Sequence, residues 1–168
     1  YTYSISLIAT DDGFDPDINA SLASDVFLVK FNSSGVRIWS TYFGGLDIES
    51  GGSCSNDKFG NVYLGGETNS TTSVAFDGFQ EVIGGAVDCF VAKFSPTGDR
   101  IWATYAGGES VDYLGYVVCD TMGAVYITGE TYSETGISFE GFQNVKAPEW
   151  DAFIIKYDPN GVREWGSD

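Results

Sequence analysis

Among its 168 residues the chain has no histidine, and its three cysteines, Cys54, Cys89 and Cys119, lie far apart with no CxxC pair. Without histidine, Ser-His-Asp and Cys-His nucleophilic catalysis are excluded, as are His-containing zinc sites. Three scattered thiols are too few for an all-thiolate zinc site. An odd number allows at most one internal disulfide, so lone buried thiols are expected. Basic residues are scarce too, 8 Lys and Arg against 24 Asp and Glu, for a net charge of −16. Nucleic acid is a poor partner for such a chain, because counterion release needs cations aligned with phosphates. An anionic membrane surface is disfavoured for the same reason. No apolar run is long enough to span a bilayer, so direct membrane insertion is not expected, and no signal peptide is visible.

What is present is hydrophobic mass and repetition. Hydrophobic residues make up 43% and aromatics 15%, enough for a folded interior. The stretch DVFLVKFNSSGVRIWSTYFGG from Asp25 returns as DCFVAKFSPTGDRIWATYAGG from Asp88, and again as DAFIIKYDPNGVREWGSD from Asp151. The step is 63 residues each time, and Trp39, Trp102 and Trp165 keep it. GNVYLGGET at Gly60–Thr68 returns as GAVYITGET, and FDGFQ at Phe76–Gln80 as FEGFQ. The two full units agree at about 27 of 63 positions without a gap. Each unit is therefore a module that buries its faces against its neighbours.

Within a unit the hydrophobic period is two. Four short runs, Val26–Phe31, Val36–Phe43, Gly51–Ser55 and Asn61–Gly66, read as strands. NSSG, SPTG and DPNG separate the first pair in successive units; DKFG and DTMG separate the second. A turn former first and glycine last predict type I turns closed by a glycine bulge. This register sets Val29 opposite Trp39 and Phe31 opposite Arg37, so that Phe27, Val29, Phe31 and Trp39 share a face. Phe90, Ala92, Phe94 and Trp102 would do so in the second copy, and Phe153, Ile155, Tyr157 and Trp165 in the third. Lys156 would then fall across from Glu164. Six of the eight basic residues follow the period, and each Arg is expected to stack beside the Trp and Phe of its own hairpin. The asparagines of three N-x-S/T sequons, Asn19, Asn32 and Asn69, lie in serine-rich turns that produce such triplets by accident.

Four antiparallel strands repeated in tandem describe the blade of a β-propeller. DAFIIKYDPNGVREW, WSTYFGG, GNVYLGGET and GFQ resemble the SBBP-type β-propeller repeat of bacterial secreted and surface proteins. The resemblance covers the chain from Asp25 onward. It implies a propeller in multi-domain extracellular proteins, frequently of the Bacteroidota, accompanied by adhesive and sorting modules, and it brings no catalytic residues. The chain departs from the usual pattern in its long loop from Thr68 to Phe76 and in its Asp-rich start. The expected architecture is all-β, a partial ring of four-stranded antiparallel blades within one propeller domain. Residues 1–24 would end a preceding blade, with Thr2–Ile8 as its last strand and Gly13-Phe14 echoing Gly78-Phe79. Residues 25–87 and 88–150 are the full units, and 151–168 begin a further one, the remaining blades coming from the same protein or assembly.

The chemistry left to weigh is acidic. Asp15, Asp17 and Asn19 echo the first three ligand positions of a calcium loop, but Ala20 and Val26 stand where Gly and a bidentate Glu belong. They are candidate ligands of an irregular Ca2+ site, set against a plain solvated insertion. Asp47, Glu49, Glu109 and Asp112 follow the Gly-Gly pairs and are candidate ligand-binding loop residues at one mouth of the ring. YFGG and LGGET lack the P-loop lysine and lead into no helix, so they are expected to serve strand packing. The expected function is a non-catalytic interaction module of a secreted or cell-surface bacterial protein, with a protein or glycan partner. The alternative is a carbohydrate-binding or carbohydrate-active propeller with its site at the ring centre. Attached adhesive or catalytic domains would distinguish the two.

Overall fold

A computed structural model of the chain describes Ala9, Asp15 and residues 24–168. Thr2–Ile8 and Gly13-Phe14 lie outside the described residues. Among the described residues ten strands form: β1 (Val26–Phe31), β2 (Arg37–Phe43), β3 (Glu49–Asn56), β4 (Val62–Thr68), β5 (Asp88–Phe94), β6 (Arg100–Ala106), β7 (Asp112–Cys119), β8 (Val125–Thr131), β9 (Asp151–Tyr157) and β10 (Arg163–Ser167). Among the described residues no helix is long and apolar enough to cross a membrane.

Consecutive strands pair antiparallel into a β1-β2 ribbon and two four-stranded sheets, β3-β4-β5-β6 and β7-β8-β9-β10. A sheet thus takes two strands from one 63-residue unit and two from the next. Sheet and sequence period are offset because β4 zips onto β5 without interruption, from Val62↔Phe94 to Thr68↔Asp88. In such a meander all short turns fall at one end of a sheet and all longer loops at the other. The five short turns place Gly35, Gly60, Gly98, Gly123 and Gly161 at positive φ, as their sequence demands. Their opening residues cap them; Asp57 Oδ1, for example, accepts from the N–H of Phe59 at 2.9 Å and of Asn61 at 3.0 Å.

The hairpin register differs from the sequence expectation by one residue. Phe31 does pair with Arg37, but Lys30 pairs with Trp39, because Ile38 is the extra residue of a bulge. Ile101 and Glu164 play the same part in the other copies, putting Trp102 opposite Lys93 and Trp165 opposite Lys156. Glu164 still reaches Lys156, with 2.7 Å between Nζ and Oε2. The extra residue moves the Trp to the other face of the hairpin, so the expected apolar sets divide. Phe90, Ala92 and Phe94 face one cluster, with Val26, Leu28, Trp39 and Phe43 of the preceding ribbon. Cys89, Val91 and Trp102 face the other, with Leu114, Val117, Phe153, Ile155 and Tyr157 of the following sheet. The sheet β3–β6 is covered on both faces. Trp39 and Trp102 therefore each pack on the next unit, Trp39 on Phe94 with ring centroids 6.3 Å apart.

Further links join the sheets. Ser53 and Ser55 on β3 accept, through Oγ, the N–H of Val117 at 2.6 Å and of Cys119 at 3.1 Å on β7. β7 lies against β3, β4 and β5, as inner strands of neighbouring blades would. The outer edge of β6 is covered by Phe76–Gln80: Phe76 and Ala103 exchange backbone hydrogen bonds, and the Tyr105 N–H donates to the carbonyl of Gln80. Phe139–Gln143 docks on β10 in the same manner, which blunts both edges. Arg100 and Arg163 stack on these segments rather than on their own hairpins, Arg100 4.6 Å from the Phe76 ring and Arg163 6.0 Å from that of Phe139. The bulge turns the hairpin Trp away, leaving the loop ring as the arginine's apolar neighbour. All three cysteines are free; Cys89 is buried, Cys119 partly so, and Cys54 is exposed, contrary to the expectation of uniformly buried thiols.

Candidate functional site

The loop end of the sheets holds two kinds of carboxylate. Glu49 and Asp112, one period apart, are buried at the starts of β3 and β7. Glu49 accepts from the Thr68 hydroxyl at 2.6 Å and the Gly45 N–H at 2.9 Å. Asp112 accepts from the Thr131 hydroxyl, from Ser133 Oγ at 2.9 Å and from the Gly108 N–H at 2.7 Å. Burial raises the Glu49 pKa, the Ser70, Thr68 and Gly45 hydrogen bonds oppose this, and the charge of Asp25 adds to it. Asp88 opens β5 in the same layer and accepts from the N–H of Gly84 at 2.8 Å and of Gly85 at 3.0 Å. Burial pushes it up to about 6, with Asp112 contributing repulsion. These acids hold loops in place from inside.

The other two lie at the surface. Asp47 is exposed, and its N–H donates to Ser70 Oγ at 2.9 Å. Glu109 is exposed, and its carboxylate takes the Thr135 hydroxyl at 2.6 Å and the N–H groups of Glu134 at 2.8 Å and Thr135 at 3.0 Å. Those hydrogen bonds, the hydroxyl first, hold it down at about 2. Glu109 thus ties two loops of its own unit together. Asp15 lies beside β2: Tyr42 N–H donates to its carbonyl at 3.0 Å, and its own N–H donates to Thr41 Oγ1 at 2.8 Å. Its backbone does what Gln80 does for Tyr105 and Thr104. Asp17 and Asn19 lie outside the described residues. Among the described residues no three His, Cys, Asp or Glu side chains are grouped to hold a metal.

A feature the sequence reading missed stands at this same end. Tyr113 at the start of β7 stacks on Trp150, ring centroids 5.6 Å apart at 20°, and Tyr132 lies 5.3 Å from Trp150 at 57°. All three are exposed, at 41%, 46% and 47% for Tyr113, Trp150 and Tyr132. Lys146 donates from Nζ to the carbonyls of Ala147 and Glu149 and sits 5.6 Å from the Tyr132 ring, fixing the turn before Trp150. Glu149 takes φ of 68°, a left-handed conformation uncommon outside glycine, which directs the chain into β9. Glu130 stands across from Tyr113 in the β7-β8 ladder. One period earlier the three aromatic positions hold Ser50, Asn69 and Val87. Aligning the two units and marking where polar or small residues become aromatic would have found the group.

The chain is 23% identical to an uncharacterized WD repeat-containing protein of Acanthamoeba polyphaga mimivirus, over 89% of its own length. It spans about 13% of that relative. No protein-family model matches the chain. Four-stranded antiparallel meanders in tandem, together with this similarity, support a β-propeller repeat. The Trp-Asp dipeptide is not its recurring element: Trp150-Asp151 stands where the earlier units have Ser24-Asp25 and Val87-Asp88. The period of 63 residues is also longer than the roughly 40–45 of WD40 units.

Proposed function

We propose that the chain is a non-catalytic interaction module of a secreted or cell-surface bacterial protein, a propeller segment of the SBBP type that presents its loop end to a protein or glycan partner. The observation that carries this reading is the Tyr113–Trp150–Tyr132 group. Residues that keep the 63-residue period hold the sheets together, whereas this group breaks it and exposes three neighbouring rings beside Glu130. Exposed aromatic rings on a rigid base give large contact area at small entropic cost, to a sugar face or to a protein side chain. Glycan-array screening and capture of surface proteins, each with the wild-type chain and Trp150→Ala, test the reading. A ligand retained by the wild type and lost by the variant supports it; binding unchanged by the substitution refutes the site. Calcium at Asp15, Asp17 and Asn19 belongs to the same proposal, and a melting temperature insensitive to added calcium would refute it.

A further inference from the structure

The junction between the two four-stranded sheets holds a cavity of about 160 Å³ at the loop end, lined by Ile48, Ser50, Glu67, Asn69, Val87 and Tyr113. Its walls come from the ends of β3, β4 and β5 and from β7, so neighbouring units of the chain itself enclose it. Ser50 and Cys89 flank Glu67 in the ladder, and all three share the face turned to β7. The Glu67 carboxylate accepts the Leu114 N–H across the junction, and burial raises its pKa against that hydrogen bond. The Cys89 thiol beside it is pushed up by burial first, then by the charges of Asp112, Glu67 and Asp88, so three carboxylates bear on this corner. Among the described residues no cationic side chain is ion-paired with Glu67, and no three acids are grouped to hold a metal. One period on, the Ser50, Asn69 and Val87 positions carry Tyr113, Tyr132 and Trp150, which pack on one another. There Lys146 brings an ammonium to 5.6 Å from the Tyr132 ring, whereas the first unit has Ile83 at the lysine position.

We infer that this cavity binds an alkylammonium group, its nitrogen on the Glu67 carboxylate and its carbon stem between Ile48, Val87 and the Tyr113 ring. A carboxylate withdrawn from water and not ion-paired is stabilised by a cation, and the net charge of −16 raises the local concentration of cations. The aromatic wall favours an ammonium further. The volume lies below the roughly 300–1,000 Å³ of pockets that enclose a drug-sized molecule, so the cavity takes a group of side-chain size. One acceptor position of Glu67 is given to Leu114, which suits a point charge better than a two-pronged guanidinium. The first unit lacks the rings and the lysine of the second, which makes the room and leaves the charge unmatched. A lysine side chain of a partner protein and a small free amine share this chemistry. The site goes beyond the ring surface proposed above, since neither Trp150 nor Tyr132 lines it.

Amide correlation NMR on the full chain tests this, with titrations of n-butylammonium, Nα-acetyl-lysinamide and neutral n-butanol at neutral pH and constant ionic strength. Butylammonium is expected to shift the amides of Ser50, Glu67, Asn69 and Tyr113 saturably, and butanol to bind about tenfold more weakly or less. Equal binding by the capped lysine assigns the group to a partner's side chain; its failure to bind assigns it to a free amine. Glu67→Gln keeps an acceptor for Leu114 and removes the charge, so it is expected to weaken the amine by about tenfold or more with little change in melting. Val87→Trp, which copies the next unit, fills the cavity with Glu67 in place and is expected to abolish binding, circular dichroism verifying that it folds. Butanol that binds as well as the amine, undiminished binding by either folded variant, or a wild type without saturable shifts overturns the inference.

Discussion

The indole of Trp102 donates to the carbonyl of Pro159, 57 residues further along the chain, and Trp39 stands in the same relation to Pro96. A β-hairpin is thereby tied to the tip of the hairpin one unit ahead, at the spot where a lysine from the same hairpin arrives as well. The sheets are coupled by a bond that repeats with the sequence, so its loss should be felt by two units at once.

Trp102→Ala is expected to destabilise the chain by about 3–5 kcal/mol, the usual cost of emptying a buried aromatic site. Trp102→Phe keeps part of the ring volume and removes the N–H donor, for a smaller loss that includes about 1 kcal/mol from the hydrogen bond. Trp165→Ala, at a half-exposed position, should cost clearly less than Trp102→Ala. Urea unfolding of the three variants makes the comparison.

Gly35, Gly98 and Gly161 occupy the same turn position at similar φ, 76°, 98° and 82°. Their surroundings differ: a Cβ at Gly35 meets nothing within 4 Å, whereas at Gly98 and Gly161 it would approach a Trp ring at 3.0 and 2.8 Å. Gly35→Ala should therefore cost only the left-handed strain, about 1–2 kcal/mol. Gly98→Ala and Gly161→Ala should cost about 1–3 kcal/mol more, because the indole must yield. Equal losses at all three positions in chemical denaturation would contradict the packing described.

The buried acids give a pH dependence of definite sign. Asp88 binds its proton more tightly folded, near pH 6, than at its ordinary value of 3.8, so its contribution to stability grows as pH falls through that window. Glu49, also raised, acts in the same direction. Glu109, held at about 2, acts oppositely: its contribution is present above its ordinary 4.5 and is lost as pH falls toward 2. Stability should rise from pH 7 toward pH 5, by on the order of 1–2 kcal/mol from Asp88, and fall again below about pH 4. Melting curves of the wild type and Asp88→Asn provide the check; the variant should show a flatter rise between pH 7 and 5.

Asp112 lies buried with three hydrogen-bond donors, among them Thr131 and Ser133. Thr131→Val removes one donor from a buried carboxylate and is expected to cost about 1–3 kcal/mol. Glu109→Gln, at the surface, should cost much less in the same thermal unfolding measurement, although its carboxylate also has three donors. The difference lies in solvent, which can replace a lost partner only at the exposed site.

The sequence by itself determined the period, the strands and the turns. Glycine at the last turn position is required by positive φ, and a cap such as Asp57 bonds within four residues, so both are local chemistry and legible without coordinates. The repeat also separated framework from loop correctly for the lysines. Tertiary structure decided what depends on distance along the chain. The bulge at Ile38, Ile101 and Glu164 leaves no mark that distinguishes it from an ordinary pair, yet it moves each Trp to the opposite face. Glu49 and Asp112 read as loop acids because their partners Thr68 and Thr131 are 19 residues away. Tyr113, Tyr132 and Trp150 come from three different strand ends, and only folding of β7, β8 and β9 side by side makes them one surface. Local rules follow from backbone sterics and short-range hydrogen bonds; which faces meet is set by packing between units, and that is settled only when the whole sheet is in place.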